Sequence, residues 1–200
     1  MTGDKTKRMA RIAEAVEALD GSPLYGFRQE NDYRAVIGEG SLDARIMFIG
    51  EAPGEKEAQA GRPFVGAAGR ILNDMLASVG LQREEVYITN VVKDRPPGNR
   101  DPRAEEIELY TPFLVEQIEI IQPRVIATLG RFAMDFVLGL LGVPEQGGKI
   151  GELHGQPLRA EASYGPVTVV PLYHPAAMFY RRELREQMEQ DFQVLKRYAG

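Results

Sequence analysis

Cysteine is absent from the 200-residue chain. That excludes disulfide bridges, thiol nucleophiles and any iron–sulfur cluster held by cysteine. Histidine is scarce. With only His154 and His174, a zinc site would have to be built largely from carboxylates, so no metal centre is expected. No apolar run approaches the roughly 18 residues of a membrane span. The opening stretch, Met1 to Arg11, is polar and lacks the apolar core of a secretory signal. The expectation is a cytoplasmic protein with no membrane partner. Positive charge is in deficit: 24 Lys and Arg stand against 29 Asp and Glu, a net charge of −5. Overall acidity argues only weakly against nucleic-acid binding, because a local basic strip can still hold phosphates.

What is present is a core-forming mixture. Apolar residues make up 44% and charged residues 26%, which excludes a disordered or low-complexity chain. The length suits one α/β domain over 1–200, and no internal repeat or linker divides it. Met9, Ile12, Ala13, Val16 and Leu19 predict a helix over 5–19, ended near Gly21 and Pro23. Residues 20–40 read as irregular, with one short strand near Val36. Arg45–Ile49, Val86–Val92, Val125–Leu129 and Val167–Leu172 read as buried strands. Ala67–Val79, Arg103–Ile121, Arg131–Leu140 and Glu183–Tyr198 read as helices, with Gly80 capping the first and Pro112 breaking or kinking the second. Residues 51–64 and 93–102 read as loops, and 142–165 as a loop with a weak hairpin. The alternation predicts a parallel sheet covered on both faces. Ligands of such sheets bind where loops leave the C-terminal strand ends, which directs attention to 50–64, 90–103 and 172–182.

The first of these loops begins Gly50-Glu51-Ala52-Pro53-Gly54. Its glycines let backbone approach a ligand, and its N–H groups suit an anion or a carbonyl oxygen; the same pattern also serves a plain turn. It matches neither the phosphate-loop pattern nor GxGxxG, so nucleotide binding by those routes is unsupported. Further on, in Gly61-Arg62-Pro63-Phe64-Val65-Gly66, Phe64 suits either stacking on a planar ligand or burial in the core. The second loop opens with Thr89-Asn90. The Asn90 amide offers a donor and an acceptor to an amide-like edge, or serves a cap or turn. The strip that follows sets Lys93, Arg95, Arg100 and Arg103 against Asp94 and Asp101, a local charge of +2. It is suited to phosphates, or to solvent. In the third loop, Tyr173-His174-Pro175-Ala176, His174 sits where it can donate to a developing oxyanion. Ala177, Met178, Phe179 and Tyr180, followed by Arg181 and Arg182, suit an apolar wedge with phosphate contacts beside it, or a run into an amphipathic helix. His154 reads as structural.

Together these blocks, with Tyr87-Ile88-Thr89-Asn90-Val91-Val92-Lys93 and Arg95 to Pro102, resemble the uracil-DNA glycosylase superfamily, most closely its iron–sulfur branch, family 4. The resemblance runs from about Leu19 to the C-terminus. It implies a three-layer α/β/α sandwich with a central four-stranded, mainly parallel sheet. It implies an enzyme that flips uracil out of DNA and hydrolyses its N-glycosidic bond, since the reacting atoms are inaccessible in the stack. By that resemblance Phe64 stacks on the base, Asn90 reads the uracil edge and His174 supports the departing anion at O2. Gly50, Ala52 and the Glu51 backbone add contacts, and Glu51 positions water or stabilises the sugar cation. An Asp that activates water in the best-known branch is replaced here by Ala52, with Glu57 a further acidic candidate beside the substrate. Lys93, Arg95, Arg100, Met178, Arg181 and Arg182 are the expected DNA contacts. The expected partner is uracil-containing DNA, the expected state a monomer, and no cofactor is required. The alternatives are a non-catalytic uracil-DNA-binding protein and a glycosylase preferring another deaminated base.

Two departures qualify the resemblance. The branch's four cluster cysteines fall at Leu19, Ser22, Asp94 and Tyr110, none of them a thiolate. The cluster is expected to be absent, with packing of Leu19 and Tyr110 and a hydrogen-bonded or exposed Asp94 in its place. A related branch captures uracil-DNA covalently through a histidine in the region after Lys93. No histidine lies between Lys93 and Leu153 here, so covalent capture is not expected.

Overall fold

The computed structural model describes residues 2–181 and 183–198. The main helices are α1 (Thr2–Glu17), α2 (Tyr25–Glu30), α3 (Glu55–Ala60), α4 (Ala67–Ser78), α5 (Ala104–Ile121), α6 (Arg131–Leu140), α7 (Ile150–Leu153) and α8 (Leu184–Leu195). The strands are β1 (Glu39–Gly40), β2 (Ile46–Gly50), β3 (Tyr87–Asn90), β4 (Val125–Leu129), β5 (Leu158–Ala162) and β6 (Gly165–Leu172). They form one sheet in the order β1-β3-β2-β4-β6-β5.

The four expected strands are its parallel centre, β3-β2-β4-β6. Two antiparallel edge strands extend the sheet to six. β1 pairs with β3, and β5 forms a hairpin with β6 in the region expected to hold one. Alternation along each central strand feeds two cores. Met47, Ile49, Ile126 and Val169 face α1, α5 and α6, while Ile46, Phe48, Ala127 and Val170 face α4 and α8. The fold is therefore a three-layer α/β/α sandwich.

Several local expectations are corrected. The short strand lies at Glu39–Gly40 rather than near Val36. The loop over 51–64 contains α3, and the irregular stretch contains α2. Helix α5 runs through Pro112 unbroken. A proline inside a helix costs about 3 kcal/mol. Burial of Tyr110, Leu114, Ile118 and Ile121 offsets it, at roughly 1.5–3 kcal/mol for each large apolar side chain. No described helix is long and apolar enough to cross a membrane.

Candidate active site

A cleft of about 420 Å³ opens at the C-terminal ends of the central strands, and Glu51, Phe64, Asn90, Arg100 and His174 are among the residues that line it. Sheet register explains part of this convergence. Gly50, the last residue of β2, is directly opposite Asn90, the last of β3. A side chain at Gly50 would place its Cβ 2.4 Å from Asn90 Oδ1 and 2.9 Å from Phe64 Cζ. The glycine therefore makes room for both flanking groups.

Phe64 is buried, with its backbone in the left-handed region at φ 50°. Three neighbours hold it there. Gly69 in α4 lets the helix pass so close that a Cβ would fall 1.8 Å from the Phe64 carbonyl oxygen. Glu57 Oε1 accepts from the Val65 and Gly66 N–H groups at 3.0 and 2.9 Å. Glu57 thus lines the cleft and also ties down the loop that carries Phe64. Arg83 Nη1 donates to the Phe64 carbonyl at 3.2 Å, its Nη2 donates to the Pro63 carbonyl, and its Nε donates to Glu39 at 2.6 Å. Burial raises the Glu39 pKa, but hydrogen bonds from Arg62 and Arg83 outweigh it and hold the carboxyl below its ordinary value. Arg83 and Glu39 were not legible as site residues; nothing in the local sequence says that their loops meet Phe64.

Asn90 is buried and lines the cleft. Beneath it lies Lys93, whose expected role at DNA phosphates is contradicted: the side chain is fully buried. Its ammonium donates to Thr89 Oγ1 at 2.7 Å, the Asn90 carbonyl at 2.7 Å and Gln117 Oε1 at 2.6 Å. Three donors meet three acceptors, so the end of β3 that carries Asn90 is built on this one side chain. Burial pushes the Lys93 pKa well down.

His174 follows β6. Its Nδ1 accepts from the Ala176 N–H at 3.1 Å, so the neutral ring carries its proton on Nε2. Burial lowers its pKa to about 4, against the opposing effect of Glu57. The ring lies 5.7 Å from that of Phe64, centroid to centroid. A Cβ on Gly130 would come within 3.1 Å of the His174 Cβ, so β4 also packs tightly here. Glu51 is half-buried, and its pKa is raised by burial and by Asp101, against Arg131. The cleft thus brings a neutral donor, an amide, an aromatic ring and a carboxyl group to one place.

The other expected DNA contacts fare unevenly. Arg95 is mostly buried; it donates to Asn99 Oδ1 at 2.8 Å and to the Tyr33 hydroxyl at 2.6 Å. Arg100 lines the cleft but bonds the buried Glu106 through both terminal nitrogens, at 2.9 and 2.5 Å. The basic strip is thus largely engaged by local partners, and Arg100 meets a carboxylate there. Met178 does not project: it packs against the α4–α8 core, whereas Phe179 and Tyr180 are 51% and 88% exposed. Arg181 is exposed and bonds Glu183 at 3.0 Å. Arg182 lies outside the described residues.

A mainly parallel sandwich with these groups at the strand ends matches the architecture expected from the motifs. The profile of the Uracil DNA glycosylase superfamily matches residues 37–196, and the chain belongs to that superfamily. Within it, the similarity is to type-4 members. The chain is 48% identical to the type-4 uracil-DNA glycosylase of Archaeoglobus fulgidus over 165 residues, 82% of each chain. It is 41% identical to that of Thermotoga maritima over 192 residues, 95% of this chain and 94% of the relative. It is also 36% identical to a type-5 uracil-DNA glycosylase of Pyrobaculum aerophilum, over 64% of this chain and 63% of the relative.

Proposed function

We propose that the chain is a uracil-DNA glycosylase that starts base-excision repair, and that it works without an iron–sulfur cluster. The observation that carries this reading is the convergence of Phe64, Asn90 and His174 with Glu51 in one cleft. Cleaving the N-glycosidic bond leaves negative charge on the base and positive charge on the sugar. A catalyst therefore needs a donor on one side and negative charge on the other. The neutral His174, protonated on Nε2, supplies the donor at the departing O2. Its hydrogen bond becomes charge-assisted only as the anion forms, so its contribution falls on the transition state. Glu51 supplies the carboxylate towards the sugar.

Specificity follows from Asn90. Its amide pairs with uracil O4 and N3–H, while cytosine offers the wrong donor and acceptor at both places and leaves buried polar groups unpaired. Phe64 provides the flat face on which a flipped base stacks. The exposed Phe179 and Tyr180, beside Arg181, suit the wedge that fills the gap in the duplex.

The test is strand cleavage, after alkali, of a labelled oligonucleotide carrying one deoxyuridine. Wild type cleaves it, and Asn90→Ala and His174→Ala each lose at least about tenfold in rate, a conservative bound beside the roughly 100-fold or more that one positioned donor supplies. Selective binding of uracil-DNA with no cleavage by wild type would reduce the protein to a binding module.

A further inference from the structure

The resemblance to the iron–sulfur branch places four thiolates at Leu19, Ser22, Asp94 and Tyr110. The residues present do not fit such a group. None is a sulfur ligand, and three of the four are bonded to one another in a packed interior. The Tyr110 hydroxyl donates to Asp94 Oδ2 at 2.5 Å and lies 3.0 Å from Ser22 Oγ. Arg28, in α2, closes the set. Its Nη1 lies 3.1 and 3.3 Å from the two Asp94 oxygens, and its Nη2 donates to the Glu17 carbonyl at 2.6 Å. Leu24 N–H donates to Ser22 Oγ at 3.2 Å. Arg28 and Tyr110 are among the largest fully buried side chains of the described residues. The volume is filled by protein atoms, and Leu19 packs at the edge of the same core.

We propose that Ser22, Arg28, Asp94 and Tyr110 form a polar cross-link that takes over the mechanical role of a metal cluster. It docks the α1–α2 segment onto the loop after β3 and holds that loop against the cleft without iron. The inference rests on the reading of the cleft as a uracil site. The geometry gives the cross-link something to hold. Asp94 follows Lys93, which anchors Asn90, and two residues after Asp94 the chain reaches Pro96, which lines the cleft with Asn99 and Arg100. On the far side, Arg28 and Ser22 reach both ends of the turn between α1 and α2.

A cluster and a polar network differ in how they fail. A buried charged network depends on every member, because removing one partner strands the others in a low dielectric. Replacing the whole pair by apolar side chains of similar bulk removes that penalty. Asp94 and Arg28 are therefore positioning residues, and a variant lacking both charges should outperform one lacking a single charge.

The experiment uses the full-length protein expressed in iron-supplemented medium. Metal content is measured by plasma mass spectrometry. Thermal unfolding is followed with and without EDTA and ferricyanide. Excision is assayed as kcat and KM on a deoxyuridine oligonucleotide for wild type, Asp94→Asn, Tyr110→Phe and Arg28→Met/Asp94→Leu. The expected results are substoichiometric iron and an unfolding midpoint that chelator and oxidant leave unmoved. Asp94→Asn lowers the midpoint by on the order of 10 °C and raises KM more than it lowers kcat. Tyr110→Phe, the milder change, moves both in the same direction by less. The double variant regains at least half of the lost midpoint. Stoichiometric iron, a midpoint shifted by chelator, or single variants with wild-type midpoint and KM would overturn the proposal. Wild type that removes no uracil would defeat the functional reading alone, since the metal and unfolding measurements do not depend on turnover.

Discussion

On the β2 side of the cleft, Phe64 is held by backbone packed so closely that an added methyl group at Gly69 would come within 1.8 Å of its carbonyl oxygen. On the β3 side, the wall is held by buried hydrogen-bonding groups: Lys93 under Asn90, and Asp94 between Arg28 and Tyr110. The first wall, tied also by Glu57 and Arg83, tolerates no added atoms at Gly69, and the second tolerates no lost partner. Both devices restrict motion, but they are vulnerable to different substitutions. Close packing is insensitive to salt and pH, whereas a buried network depends on the protonation of its members.

The sharpest way to break the β2 wall is Gly69→Ala. Inside an exposed helix this change usually stabilises by about 1 kcal/mol. Here it is expected to destabilise by about 3 kcal/mol, the upper range for overpacking, and to displace Phe64. A displacement of about 1 Å costs roughly 100-fold in rate. Thermal unfolding and excision kinetics read both effects, and a midpoint equal to or above wild type would refute the packing argument.

Lys93→Met breaks the β3 wall from the opposite direction, by removing donors. Three buried acceptors lose their partner, and the cost is expected to be about 3 kcal/mol, at roughly 1–3 kcal/mol for each group left unsatisfied, a fall in midpoint on the order of 10 °C. Salt should not change that fall, which chemical denaturation at two ionic strengths would check. A variant as stable as wild type would show that Lys93 does not support β3.

The smallest expected effect concerns His174, which lies between the walls. The folded ring binds a proton less readily than the unfolded one, because burial lowers its pKa to about 4. Its contribution to stability is therefore complete above about 6.5, the ordinary histidine value, and is lost as pH falls from there towards about 4. Through this group, excision should not change between pH 8 and 6. A pH–rate profile with a break near 6.5 that His174→Ala abolishes would show that the ring titrates normally.

Much of the frame was legible in the sequence. The four central strands are short apolar runs between turn residues, and β2, β3 and β4 are buried along their whole length. Their pattern carries the information locally. The edge strands were legible only coarsely, as a short strand near Val36 and a weak hairpin within 142–165, for physical reasons. β1 has only two residues, and β5, Leu-Arg-Ala-Glu-Ala, turns polar side chains outward. Asn90 and His174 were legible at strand ends, and Phe64 in the glycine-flanked segment before α4, each within a recognisable block. Arg83, Glu39 and Arg28 were not, since each acts on a segment distant in sequence. Lys93 was misread because a lysine in a basic strip carries the same local signal whether it meets water or three buried acceptors.

By itself, the sequence determined the alternation of strands and helices, the grouping of chemical residues at strand ends and the lack of any thiolate ligand. These are properties of residue type and short spacing. Tertiary structure decided which charges are buried, which loop each arginine clamps, and that Arg28 meets Asp94 across 66 residues of chain and Ser22 meets Tyr110 across 88. Those outcomes depend on distances between segments far apart in sequence, and such distances exist only once the sheet has brought the segments together.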